Sequence, residues 1–194
     1  QPMEWGTYGD LFRETPAGKI VFSCFFFGLC DASIVFIGTV LLEKGLVPSW
    51  FIFSLGAGAL FVRTAGRNIF NRYQRTVFAG PSFLIMALCL LGLAFTRTSF
   101  GLVIWGFFYG MGMGYGYPAH LALTADLAAP RLRAKASALV HFSMDLSWFI
   151  LPLYMGFGCT LLGTRRAFLL FTLTCIATAV MTTVMWMPRR NGRA

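Results

Sequence analysis

The chain has 194 residues, 57% hydrophobic and only 12% charged, with a mean hydropathy of +0.70. That is more apolar surface than a soluble domain of this size needs, so a soluble enzyme or binding module is excluded. The net charge of +9 does not mark a nucleic-acid partner, because the cations sit at the ends of apolar runs, where they set topology and touch anionic lipid.

The first 18 residues set Trp5, Tyr8, Leu11 and Phe12 at helical spacing between Glu4, Asp10, Arg13 and Glu14. This predicts a short amphipathic helix on the cytoplasmic surface, ended by Pro16-Ala17-Gly18. The chain starts at Gln1 rather than Met, which leaves room for residues upstream or for a remnant before Met3, and no signal peptide is read. The next run, 20–42, is 23 residues long and carries one charge, Asp31, at its centre. As a helix it is about 35 Å long, enough to cross a bilayer. A carboxylate in hydrocarbon costs roughly 3 kcal/mol or more, so Asp31 must face protein or a water-filled cavity.

Five further runs read the same way: 46–62, 77–95, 100–123, 136–162 and 167–187. The connections at 43–45 and 96–99 are short, which makes the helices they join antiparallel neighbours. The expected fold class is an all-α membrane protein of six transmembrane helices, arranged as two three-helix units in the manner of inverted repeats. Residues 1–18 form a cytoplasmic linker, 19–188 the transmembrane domain and 189–194 a basic tail. With alternate loops assigned to opposite sides, Lys44, Arg97, Arg165 and Arg166 lie on one side and the other twelve of the sixteen Lys and Arg residues on the other. The positive-inside rule then puts both termini in the cytoplasm.

The 100–123 run contains Gly106, Gly110, Gly112, Gly114 and Gly116, followed by Tyr117 and Pro118. Gly106 and Gly110 form a small-xxx-small pair that lets another helix approach closely. The later glycines and Pro118 weaken helical regularity and invite a bend. Tight packing accounts for such a run, and so does a flexible cavity-lining helix with Gly110, Gly112, Gly114, Gly116, Tyr117 and Pro118 along the cavity. The glycine density favours the second. Tyr109, Tyr115 and Tyr117 offer hydroxyls and ring faces to a substrate, or simply pack.

In the 136–162 run His141 and Asp145 are four apart and share a helix face. Asp145 lies about 15 Å along its helix from Lys135, and Asp31 about 18 Å from Lys19, so both carboxylates reach a similar depth. Asp31, His141 and Asp145 are therefore the candidates for proton coupling or substrate binding. The alternative is an Asp–His pair that only fixes packing. The five cysteines form no CxxC pair and fit no metal spacing, so they read as buried thiols, and neither a metal nor a cofactor is expected. No HExxH and no Ser/His dyad beside an oxyanion site is present, and no enzyme is expected.

Two stretches carry a resemblance to a family. "RTAGRNIFNRYQRT" resembles the cytoplasmic signature loop of the major facilitator superfamily, and "YGMGMGYGYPAHLALTADLAAPRLRAKASALVHFSMDLS" is similar to the fourth-to-fifth-helix region of one half of its drug-efflux-type members. The opening "WGTYGDLFRETPAGK" resembles the linker before the seventh helix of twelve-helix members. The whole chain thus resembles the C-terminal six-helix half. The resemblance carries the loop's gate role onto Gly66, Asn71, Arg72 and Arg75. The acidic residue of the family's loop has no counterpart, since position 70 is Phe and the nearest polar residue is the uncharged Asn71, and Gln74 replaces the second glycine. An Asn cannot make the same charge-assisted bond. The resemblance implies part of a secondary transporter in a bacterial inner membrane, moving a small solute or drug by proton antiport. Transport through a cavity between two halves implies a second six-helix half, a second copy or a larger membrane complex as partner. A non-transporting accessory or assembly subunit is the alternative.

Overall fold

Long apolar runs without strand-like alternation satisfy their backbone groups internally as helices, which is what a bilayer demands. The computed structural model describes residues 6–65 and 76–187, leaving aside the side chains at 76, 124 and 125. The signature-loop residues Gly66, Asn71, Arg72 and Arg75, the tail 189–194 and Trp5 lie outside the described residues. The order is α1 (Tyr8–Glu14), α2 (Ala17–Ala32), α3 (Ile34–Glu43), α4 (Ser49–Ala65), α5 (Thr76–Phe95), α6 (Ser99–Leu127), a 3-10 turn (Pro130–Leu132), α7 (Arg133–Leu162) and α8 (Thr164–Trp186), with no strand among the described residues.

Four helical stretches are long and apolar enough to cross a membrane: Ala17–Glu43, Val77–Phe95, Pro130–Leu162 and Thr164–Trp186. α4 is apolar but has 17 residues, about 25 Å. α6 has 29 residues, more than enough length, but its glycines dilute its apolar character. The second run was expected at 46–62, and α4 instead starts at Ser49. Pro48 sets that start, since its carbonyl accepts the N–H groups of Phe51 and Ile52 at 3.0 and 3.1 Å.

The residue pattern predicts one unbroken helix over 20–42, yet it divides at Ser33 into α2 and α3. The Cys30 carbonyl explains the break. It accepts the Ser33 N–H at 3.2 Å and the Ser33 hydroxyl at 2.6 Å, a tighter local closure than the α-helical one. From α6 the Tyr109 hydroxyl donates to the same carbonyl at 2.7 Å.

α1 exists because it is capped and docked. Thr7 and Asp10 form a capping box, with the Thr7 hydroxyl accepting the Asp10 N–H at 3.2 Å and Asp10 accepting the Thr7 N–H at 2.7 Å. The Thr7 N–H and hydroxyl hold the Asp10 carboxyl below the ordinary aspartate value. Leu11 buries itself with Ala17, Ala128, Leu132 and Ala136 at the turn between α6 and α7. Glu14 pairs with Arg131 of that turn, and the Lys135 ammonium lies 5.7 Å from the Tyr8 ring. The predicted amphipathic helix is therefore a bracket across this turn, with Tyr8 and Phe12 left exposed.

Within the bundle α6 lies along α4 and α5, α5 along α8, and α2 along α7. The α4–α6 seam is built by absent side chains. A Cβ on Gly110 would lie 2.0 Å from the Leu55 carbonyl oxygen, and one on Gly58 would lie 2.0 Å from that of Phe107. Gly106 meets the Phe51 carbonyl in the same way, at 2.7 Å. Phe27, Phe51, Phe83, Phe168, Phe171 and Tyr109 fill the interior between the helices.

Candidate functional site

Ser23, Phe27 and Asp31 follow one another at intervals of four along α2 and so share one inward face. The Ser23 hydroxyl donates to the Lys19 carbonyl at 2.8 Å and accepts the Trp186 indole N–H of α8 at 2.8 Å. One turn on, the Phe27 ring stacks on His120 of α6, with centroids 4.2 Å apart and planes 24° apart. Another turn on, Asp31 is 9% exposed, immediately before the break at Ser33.

Three buried polar atoms in this region have no hydrogen-bond partner: Asp31 Oδ1, His120 Nε2 and Thr182 Oγ1. Asp31 stands on α2 itself, His120 on α6 and Thr182 on α8, both of which pack against α2. His120 is fully buried, and its Nδ1–H donates to the Gly116 carbonyl at 2.8 Å, which leaves Nε2 as the free lone pair. Thr182 lies one turn before Trp186, so in the α8 helix it falls at the level of Phe27. Buried polar atoms are nearly always paired, so each of these orphans marks a place where a proton, a water or a solute group can bind. Among the described residues no ion pair neutralises Asp31.

His141 and Asp145 are both exposed on α7, on a face shared with exposed Phe142, Leu146 and Phe149. His141 is held by its own helix, its Nδ1–H donating to the Ser137 carbonyl at 2.8 Å. The neighbours of Asp145, Met144 and Ser147, are what a Cβ on Gly28 of α2 would meet, at 3.0 Å and 2.5 Å. Asp145 thus stands within a turn of the depth of Asp31. The two are not in contact, because one points into the bundle and the other out of it.

Residues 20–194 match the model of the Major Facilitator Superfamily. The chain belongs to the Major Facilitator Superfamily. It is similar to Apicoplast pyruvate carrier 2 of Toxoplasma gondii, at 28% identity over 111 residues, which is 57% of this chain and 17% of the carrier. The chain therefore covers less than a fifth of the length of that relative.

As a Major Facilitator Superfamily member the chain is an integral membrane protein of a transporter family, and its ionisable interior residues acquire weight as candidates. His120 escaped the sequence reading although the signal was present, since an ionisable side chain inside an apolar span is a candidate by default. The glycines of α6 are each taken up by a neighbour. Gly110 and Gly114 face α4, Gly112 faces Ser82 and Met86 of α5, and Gly116 lies against the Phe27 ring and the Ser82 hydroxyl. Tyr117 and Pro118 are exposed, while α6 runs on through Pro118 to Leu127. Tyr109 is fully buried against Cys30, and Tyr115 stacks on Phe78 with centroids 5.7 Å apart.

Proposed function

We propose that the chain is a six-span unit of a proton-coupled secondary transporter, with Asp31 as the proton-carrying group and His120, stacked on Phe27 one turn of α2 away, as a second candidate. The observation that carries this reading is the buried, unpaired Asp31 oxygen at the centre of a span, next to a helix break. A carboxyl without a cation near it is costly as an anion and accessible as an acid, so it gains and loses a proton as its surroundings open and close. A small carboxylate such as pyruvate is the first solute to test, because the Toxoplasma gondii relative is named a pyruvate carrier. The full-length protein in proteoliposomes should accumulate labelled solute when a pH gradient is imposed and lose that accumulation when a protonophore collapses it. Accumulation indifferent to the protonophore would overturn proton coupling.

The exposed face of α7 supports a second six-helix unit as partner. Histidine and aspartate on a membrane helix meet protein or water rather than lipid, and His141 and Asp145 are both exposed on α7. Isolation inside a larger assembly, with no transport in liposomes, is the result that would replace this reading by the accessory-subunit one. Six spans with both termini inside give a further expectation. A cysteine at Gly45 should react with an impermeant reagent from outside, and one at Arg63 only after the membrane is breached. The reverse labelling would overturn the topology.

A further inference from the structure

Of the four cations at the end of the bundle opposite α1, three line a common cavity. Lys44 follows α3, Arg97 lies in the turn between α5 and α6, and Arg165 stands in the first turn of α8. The Lys44 ammonium donates to the carbonyls of Leu93, Ala94 and Thr96 at 2.7, 2.8 and 3.4 Å, capping the C-terminal end of α5. Two adjoining cavities of about 170 and 190 Å³ share Lys44, Ala94 and Arg165, and the first also takes in Arg97. Glu43 lines the second, where it accepts the Thr164 hydroxyl at 2.7 Å. Among the described residues no ion pair joins Lys44, Arg97 or Arg165 to a carboxylate. Burial, and then the charges of Arg165 and Arg97, weaken the hold of Lys44 on its proton. Like charges thus converge around cavities large enough for a phosphate, and the one carboxylate among the lining residues, Glu43, is engaged by the Thr164 hydroxyl and borders only the second.

The cationic cavity does not end there. Phe95 and Thr96 also belong to an open, mainly apolar hollow of about 660 Å³, lined further by Leu88, Leu91, Gly92 and Trp105. Its floor exists because position 92 has no side chain. A Cβ there would come within 2.3 Å of the Trp105 ring. From Phe95 to Leu88 the hollow follows α5 for about 10 Å, away from the cations and into the apolar zone.

We propose that this end of the bundle binds an acidic phospholipid, its phosphate between Lys44, Arg97 and Arg165 and one acyl chain in the groove beside Trp105. The continuity of the two features decides the ligand class. A free anion needs only the cavity, and a neutral lipid needs only the groove. The site stands whether or not the chain transports a solute.

The test is native mass spectrometry of the full-length protein released from bilayers holding equal amounts of phosphatidylglycerol and phosphatidylcholine. The wild type should retain phosphatidylglycerol preferentially. Because Lys44 also caps α5, the informative variant is Arg97→Gln with Arg165→Gln, which should reduce retention by about fivefold per cation removed. Arg166→Gln, which changes an arginine at the same end that lines neither cavity, should leave retention unchanged. Gly92→Ala should lower it without touching a charge, by driving the Trp105 ring into the groove. Equal retention of the two lipids, or loss on Arg166→Gln equal to that of the double variant, would overturn the site. Displacement by inorganic phosphate combined with indifference to Gly92→Ala would make it a free-oxyanion site and overturn the lipid.

Discussion

Asp31→Asn is expected to leave the bundle folded and to abolish solute accumulation driven by a proton gradient. The two side chains have nearly the same shape, so the packing around Phe27 and the break at Ser33 need not move. Asp31 has no cationic partner among the described residues, and the substitution orphans no buried charge. Replacing an uncompensated buried acid by a neutral isostere is neutral or stabilising, so the unfolding temperature should hold or rise. What the amide cannot do is bind and release a proton. Exchange of labelled for unlabelled solute across the membrane, which needs no net proton movement, should therefore survive while uphill accumulation disappears. Wild-type accumulation by the Asn variant would remove Asp31 from the mechanism. Loss of both accumulation and exchange, with the fold intact, would make it a solute ligand instead.

Gly110→Val should unfold the seam between α4 and α6. The first added carbon falls 2.0 Å from the Leu55 carbonyl oxygen, a backbone atom that cannot swing aside. The helices must part, and parting them strains the neighbouring contacts at Gly58 and Gly106 as well. Overpacking of this kind costs about 3 kcal/mol or more. For a chain of this length that lowers the unfolding temperature by roughly 6–12 °C. Gly56→Ala is the matched control on α4, because nothing lies within 4 Å of its added carbon. It should raise stability by up to about 1 kcal/mol through helix propensity. Equal effects of the two substitutions would show that the seam is not in backbone contact.

The apolar runs made the helices legible, since few other structures satisfy so many consecutive peptide groups without water. The spacing of Gly106 and Gly110 made close helix contact legible too, but not that α4 would be the neighbour, nor that Gly114 would join the same contact. Helix geometry correctly puts His141 and Asp145 on one face, yet says nothing of whether that face looks inward. The Cys30 carbonyl at the Ser33 break also takes a hydroxyl 79 residues away, and the Lys44 cap rests on carbonyls about 50 residues away. No local pattern records such partners. His120 was visible as a residue and invisible as a site, because its significance lies in the Phe27 ring that covers it and the lone pair left over.

The glycine seam also divides the molecule by stiffness. Where two backbones touch without side chains between them, there are no rotamers to absorb a displacement, and the pair must travel as one piece. α4 and α6 form such a piece, and Gly112 ties α5 to it through the Ser82 carbonyl. α6 meets α7 over a much smaller area, and α2 carries a joint at Ser33. Any rocking of the bundle should therefore concentrate at that joint and at α7, with the α4–α5–α6 slab serving as the frame they move against.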